Sequence, residues 1–276
     1  MPLNITTGGM TARGFGFTTQ GYFNLIITLS SNQTSYNLRT AAIAAGWTTT
    51  NKLNAVLNVN NGVSLIGTGN TTNSALLLTN LVDASIIRLN NNGTIYGAGG
   101  AGGYTGVAGI YQENGNTDGV GYGGDVPNNP YGDSGGYPAI NGTSGAVGYT
   151  AIYCDSNIIL NIYNYGTVTG GGGGAGGNGG NNAGGGSGGN GGVALVETGS
   201  PTVTLFNQSG GVFAGGGGGG SGWGNRIAGS TEGGSPGNPG VITNNGGGNF
   251  GAQGSAGRSS TNNATTLFNT AGTFSL

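Results

Sequence analysis

The glycine residues of this chain form long runs in which the other residues keep a period of three. Between residues 170 and 192, five of the seven non-glycine residues share one phase of three. A polyproline-II-type helix has three residues per turn and no internal hydrogen bonds. Neighbouring helices with glycine on two faces can approach closely and pair their backbone N–H and C=O groups. A flexible linker is the alternative, but a linker has no reason to keep phase. The runs therefore predict packed polyglycine-II helices.

The rest of the chain has a different composition. Only 9 of the 68 glycines lie in residues 1–92, and 59 lie in residues 93–276. Residues 22–29 are rich in β-branched and aromatic side chains, and residues 53–59 place apolar side chains at every second position, so both are predicted strands. A short helix is predicted over residues 40–46, with Thr40 as its cap and Gly46 as its end.

These differences predict three parts. Residues 1–20 are expected to form an extended docking arm, and residues 21–92 a β-rich anchoring domain. Residues 93–276 are expected to form a glycine-rich domain that contains two loops, 111–149 and 223–242, where the glycine period is interrupted.

A repeat connects the two regions. An apolar strand is followed by an Asn, by a Gly within four residues and by a second short strand. This pattern occurs at five places, which are residues 57–63, 87–95, 160–168, 203–213 and 266–274. The second, third and fourth copies each run into a glycine-rich excursion. Recurring strand units separated by excursions of different lengths predict strands that stack in successive rungs, with glycine arms between the rungs. The expected fold class is all-β or irregular, with little α-helix.

Composition excludes several kinds of chemistry. The chain has no His and one Cys, so a catalytic histidine, a His-ligated metal and an internal disulfide framework are all excluded. Six basic residues and a net charge of −2 argue against a nucleic-acid partner. No apolar run is long enough to span a bilayer. We expect no metal, no cofactor and no enzymatic activity, although a carboxylate pair such as Asp118 and Asp133 leaves a saccharide-cleaving enzyme open.

Tyrosine is concentrated where the glycine period breaks. Ten of the twelve Tyr lie between residues 96 and 165. Tyr offers rigid contact area and a hydroxyl group at low entropic cost, which suits the binding of sugar rings or protein loops. The alternative is that these rings shield the ends of the glycine helices. The candidate contact residues are Tyr111, Tyr122, Tyr131, Tyr137, Tyr149, Trp223 and Arg226.

Two segments resemble a known family. Residues 91–103 resemble the NNGTIYGxGGxGG segment of glycine-rich tail proteins of tailed bacteriophages, and residues 36–47 resemble a stretch that precedes it. Glycine-rich segments that alternate with variable loops are similar to the adhesins at the tips of T-even phage tail fibres. Those adhesins pack polyglycine-II helices and bind host receptors through distal loops.

The resemblance implies a virion protein of the phage tail that attaches to the host surface. Its expected partners are a host receptor, either a polysaccharide or an outer-membrane protein, and other virion proteins that dock through the N-terminal region. It also suggests a homotrimer and no insertion into the membrane. A purely structural tail-tip, fibre or head-decoration subunit without receptor contact is the alternative function.

Overall fold

The computed structural model describes residues 21–69, 71–104, 142–176 and 186–218, together with the backbone of two strands near each terminus. In this part of the chain, strands predominate and there is one α-helix, α1 (Leu38–Ala44). The all-β prediction is confirmed. One 3-10 turn, Thr71–Asn73, is also present.

After an N-terminal hairpin of two strands, the strands of the described residues form six successive groups, four of three strands followed by two of two strands. In chain order they are β1 (Leu3–Thr7), β2 (Met10–Phe15), β3 (Tyr22–Leu29), β4 (Gln33–Thr34), β5 (Tyr36–Asn37), β6 (Lys52–Val59), β7 (Ser64–Ile66), β8 (Leu76–Leu78), β9 (Ile86–Asn91), β10 (Thr94–Tyr96), β11 (Ile152–Cys154), β12 (Ile159–Asn164), β13 (Thr167–Thr169), β14 (Leu195–Glu197), β15 (Thr202–Asn207), β16 (Val212–Ala214), β17 (Thr266–Phe268) and β18 (Thr273–Phe274).

Three sheets arise because each strand pairs with its counterpart in the next group. Sheet A has the order β1-β2-β3-β6-β9-β12-β15-β17, sheet B β18-β16-β13-β10-β7-β4, and sheet C β14-β11-β8-β5. All pairings are parallel except the N-terminal hairpin, in which β1 and β2, and β2 and β3, run antiparallel. Each group therefore forms one rung of a parallel β-solenoid, which confirms the predicted stacking of strands.

The interior of the solenoid is filled by rows of identical or similar side chains. Along sheet A, Ile27 is aligned with Leu57, Leu89, Ile162 and Leu205, and all of them are buried. The neighbouring row begins with Leu29 and Val59 but continues with Asn91, Asn164 and Asn207. These Asn side chains form a ladder, with Nδ2 to Oδ1 distances of 2.8 and 2.7 Å.

The Asn ladder lies at the corner where each rung passes from sheet A to sheet B. Each side chain also donates to the backbone of this corner, to the carbonyl oxygens of Thr167, Val212 and Gly211. Buried carbonyl groups in a tight corner need such donors. The Asn of the sequence repeat therefore donates a hydrogen bond to a backbone carbonyl oxygen at the corner of its own rung or of the following rung.

Local predictions agree with the structure in most places. The predicted strands over residues 22–29 and 53–59 are confirmed as β3 and β6. The predicted cap of α1 is wrong, because Asn37 is the capping residue and its Oδ1 accepts from the Thr40 backbone N–H at 3.1 Å. Gly46 follows the helix with a φ of 99°, as expected for a residue that ends it.

The sheets continue across residue 92, where the composition changes. Strand β9 precedes this position and pairs with β12 in the glycine-rich part over six residues. The change in composition therefore occurs within one continuous solenoid. A separate anchoring role for residues 21–92 stays a prediction.

The glycine-rich arms all leave the solenoid at the same corner, between sheets B and C. In the first rung, Ser35 alone joins the two sheets, and in the second residues 67–75 do so. The connections in the third and fourth rungs are residues 97–151 and 170–194. Because the rungs are stacked in register, arms from successive rungs lie beside one another.

Five arm segments pack together, which we call the glycine bundle. They are residues 97–104, 142–150, 170–176, 186–193 and 215–218. The segment 170–176 is hydrogen-bonded to all four others, for example through Gly171 N–H to the Tyr149 carbonyl oxygen at 2.7 Å and Gly173 N–H to the Gly217 carbonyl oxygen at 2.8 Å.

Hydrogen bonds in the glycine bundle recur at every third residue. Gly100 and Gly103 donate to Gly172 and Ala175, and Gly145 and Gly148 donate to Ser187 and Asn190. Backbone pairing between the arms is therefore confirmed for the described residues. This spacing agrees with polyglycine II, whose helical conformation itself stays a prediction.

Candidate functional site

One of the seven predicted contact residues, Tyr149, lies in the described part of the chain. The other six are outside the described residues. They are Tyr111, Tyr122, Tyr131, Tyr137, Trp223 and Arg226.

Tyr149 lies within the glycine bundle. Its backbone N–H donates to the Ala98 carbonyl oxygen at 2.8 Å, and its own carbonyl oxygen accepts from Gly171 N–H at 2.7 Å. The side chain is half-buried. Residues 142–149, which the sequence analysis assigns to the loop, are thus hydrogen-bonded on both sides as an arm that returns to the solenoid.

The base of the 111–149 loop is held by a close contact between Tyr104 and Thr143. The Thr143 backbone N–H donates to the Tyr104 carbonyl oxygen at 2.9 Å, and the Tyr104 backbone N–H donates to the Thr143 hydroxyl at 2.6 Å. The outgoing and returning arms therefore meet at the residues next to the loop. This contact brings the two ends of residues 105–142 together.

Tyr104 is a surface residue that the sequence analysis did not select. Its side chain is 82% exposed, which is unusual for a large aromatic group. The sequence offered one signal for Tyr104, its position in a glycine run in the same phase of three as Ala98 and Ala101. That phase indicated packing, and only the structure shows that the side chain is exposed.

The described residues offer little reactive chemistry. Within these ranges no group of three or more His, Cys, Asp or Glu side chains is placed to bind a metal ion. Burial raises the pKa of the Cys154 thiol to about 11, so this thiol stays protonated near neutral pH. Where the structure describes the chain, no helix is both long and apolar enough to cross a bilayer.

In the described ranges, the arrangement is that of a repeat protein whose long connections leave from one corner of the rungs. A solenoid stacks its rungs, and each long connection projects from one corner and packs against the next. Exposed loops on such a rigid support are typical of recognition proteins.

Comparison with known families agrees with this class. The profile of the family described as Phage tail fibre adhesin Gp38 matches residues 24–275, and the chain belongs to that family. Comparisons with curated proteins and with solved structures gave no match. The chain is therefore a receptor-binding adhesin of the phage tail fibre and a component of the virion tail, as the resemblance of residues 36–47 and 91–103 implied.

Proposed function

We propose that this adhesin contacts its host receptor through the loops 111–149 and 223–242. Support for the first loop comes from the Tyr104–Thr143 contact, which joins the outgoing and the returning arm within the glycine bundle. A loop with closed ends loses less conformational entropy on binding than one with free ends. The bundle thus supplies a rigid support, and the loop supplies the contact area.

The proposed contacts are aromatic and polar. Four Tyr side chains of the first loop, together with Tyr104 at its base, offer rings and hydroxyl groups to a receptor. Trp223 and Arg226 would extend the surface from the second loop. Sugar rings and the extracellular loops of an outer-membrane protein both suit this chemistry, since each presents apolar edges and hydrogen-bonding groups. We propose non-covalent attachment without catalysis.

A variant in which a short Gly-Ser bridge replaces residues 106–141 is expected not to bind host cells. Unlike the unchanged protein, it should also fail to block infection when it is added to those cells. The bridge leaves Tyr104, Thr143 and the returning arm in place, so the fold should be retained. Binding of the labelled protein to host cells, beside its melting temperature, measures both properties. Host polysaccharide incubated with the intact protein should release no more reducing sugar than polysaccharide alone.

A matched control for this experiment is Tyr165→Ser. Tyr165 is 51% exposed but lies at a corner of the solenoid between β12 and β13. This variant should bind as the unchanged protein does, whereas Tyr104→Ser should weaken binding. If the bridged variant folds and still binds, the loop is not the receptor site. If no form binds but virions lacking the protein fail to assemble, the chain has a structural role.

We also propose that the N-terminal hairpin docks the adhesin on another virion protein. Strand β1 is one of the two outermost strands of sheet A in the described part of the chain, and β17 is the other. An outermost strand has backbone groups available for pairing with another chain. This edge is the observation that supports docking through the hairpin.

Deleting residues 1–20 is expected to leave receptor binding intact and to remove the protein from assembled tails. Immunodetection of the adhesin in purified virions measures incorporation, and cell binding by the free protein is the control. Light scattering of the purified chain measures the oligomeric state. Normal incorporation of the truncated protein would contradict docking through this hairpin.

A further inference from the structure

The outer face of sheet A carries positive charge without acidic side chains. On the five strands β3, β6, β9, β12 and β15, the outward positions are mainly Asn, Thr and Ile, and none is Asp or Glu. Lys52 and Arg88 are the basic residues at the exposed outward positions of these strands. The acidic residues of the described ranges, Asp83, Asp155 and Glu197, are not on this sheet.

Arg88 is held in one orientation on this face. Its Nε–H donates to Asn90 Oδ1 at 2.9 Å, and its guanidinium carbon lies 4.3 Å from the centroid of the Tyr163 ring. Tyr163 in turn stacks on Phe206, with ring centroids 4.6 Å apart and planes 10° apart. The guanidinium is therefore the end of a stack that spans three rungs.

The hydrogen-bond acceptor of Arg88 is itself fixed by its neighbours. Asn90 Nδ2 donates to Asn58 Oδ1 at 2.7 Å, and Asn58 Nδ2 donates to Thr28 Oγ1 at 3.3 Å. These side chains form a line across the outer face from β3 to β9. Because Arg88 receives its orientation from both the amide line and the aromatic stack, little of its rotamer freedom is left to lose on binding.

The two terminal amino groups of Arg88 have no partner among the described residues. The Nε–H bond and the ring contact are the interactions that the structure gives this side chain, and no carboxylate neutralises it in the described ranges. An exposed guanidinium that is oriented but unpaired can accept a carboxylate or a phosphate in the bidentate geometry that Arg favours.

We propose that the outer face of sheet A binds an anionic polysaccharide, with Arg88 contacting an acidic group of the sugar chain. Two amide side chains flank it, Asn90 on its own strand and Asn161 as its direct neighbour on β12. Parallel strands place such groups ~4.8 Å apart, which suits a ligand with many hydroxyl groups. Ile26 and Ile159, each 39% exposed, offer apolar contact to sugar C–H groups. The described arms leave the rungs between sheets B and C and not from sheet A, so this proposal does not rest on the proposed receptor loops.

The test measures binding of a labelled oligogalacturonate to the full-length protein at low salt. Arg88→Gln is expected to weaken binding about tenfold, which corresponds to ~1.4 kcal/mol. Arg88→Lys should recover only part of the loss, because an ammonium group does not give the planar two-point contact. The methyl ester of the same oligosaccharide should bind as weakly as the Arg88→Gln variant does. A phosphorylated mannose oligosaccharide shows whether phosphate replaces carboxylate.

The matched control is Arg39→Gln, which removes one positive charge away from sheet A. Arg39 lies in α1, donates to the Asn80 carbonyl oxygen and lies 5.9 Å from the centroid of the Trp47 ring. This variant should bind oligogalacturonate as the unchanged protein does. Melting temperatures verify that all variants are folded.

Three results would overturn the proposal. They are absence of binding to either acidic probe, equal binding of the acid and its methyl ester, and unchanged binding by folded Arg88→Gln. The variant with a bridge in place of residues 106–141 should still bind the probe. Loss of probe binding in that variant would assign the anion site to the loop and contradict a site on sheet A.

Discussion

Gly171→Ala is expected to unfold or severely loosen the glycine bundle. A Cβ atom on Gly171 would lie 1.7 Å from the Ala98 carbonyl oxygen, far inside contact distance. The obstacle is backbone, and the segment is hydrogen-bonded on all sides, so the clash can be relieved only by moving an arm. We expect a loss of about 4 kcal/mol or more in the free energy of unfolding, which is exceptional for one methyl group. Chemical denaturation followed by circular dichroism and by hydrogen exchange measures it.

Gly99→Ala is the matched control for this change. Its Cβ would lie 3.7 Å from the nearest atom, the Gly172 carbonyl oxygen, which is an ordinary contact. The variant should be as stable as the unchanged protein, or more stable by up to ~1 kcal/mol because the unfolded chain has less freedom. Equal stability of Gly171→Ala and Gly99→Ala would contradict the close packing of the arms.

Asn164→Ala is expected to destabilise the solenoid by about 3–5 kcal/mol. The Asn164 side chain is fully buried, accepts from Asn91 Nδ2 and donates to Asn207 Oδ1 and to the Val212 carbonyl oxygen. Its removal leaves several polar groups without a partner, and each such group costs about 1–3 kcal/mol when buried. The free energy of unfolding in urea measures the loss.

The control for the ladder is Asn161→Ala on the same strand. Asn161 is half-buried and faces outward, and its side chain makes no hydrogen bond to the described residues. Its replacement should change stability by no more than ~0.5 kcal/mol. If the two Asn variants were equally stable, the buried ladder would contribute nothing beyond β-strand propensity, and its role in the corner would be wrong.

The sequence alone predicted those features whose pattern is local. Strands β3 and β6 were predicted because side chains alternate between the two faces of a strand. Pairing between the arms was predicted because glycine on two of three faces allows close approach. The Asn–Gly repeat marked the corner of five rungs, since both residues occur within one turn.

Features that depend on alignment between distant rungs were not predicted. Sheet C was missed, because its strands are only two or three residues long and two of them follow glycine excursions of different lengths. Asn91 and Asn164 are 73 residues apart, and Asn164 and Asn207 are 43 apart, so no fixed period shows that they form one ladder. The first rung lacks the Asn–Gly pattern, so only its long strand, β3, was predicted.

For the candidate site too, some features were predicted from the sequence and others required the structure. The break in the glycine period predicted the loop 111–149 and the tyrosines within it, and their contact role stays a proposal. The structure was needed to show that Tyr104 and Thr143 close the loop, that Tyr149 belongs to the returning arm, and that the guanidinium of Arg88 lies on the Tyr163 ring.

The sequence by itself determined that the chain forms rungs of short strands with glycine arms that pack through their backbones. Alternation and the period of three follow from the geometry of one strand or one helix, so they can be read without knowing what lies beside it. Only the tertiary structure decided which glycines tolerate no side chain and which polar groups meet. Those outcomes depend on the register between rungs, and register is set by the whole solenoid because excursions of variable length separate the residues that come into contact.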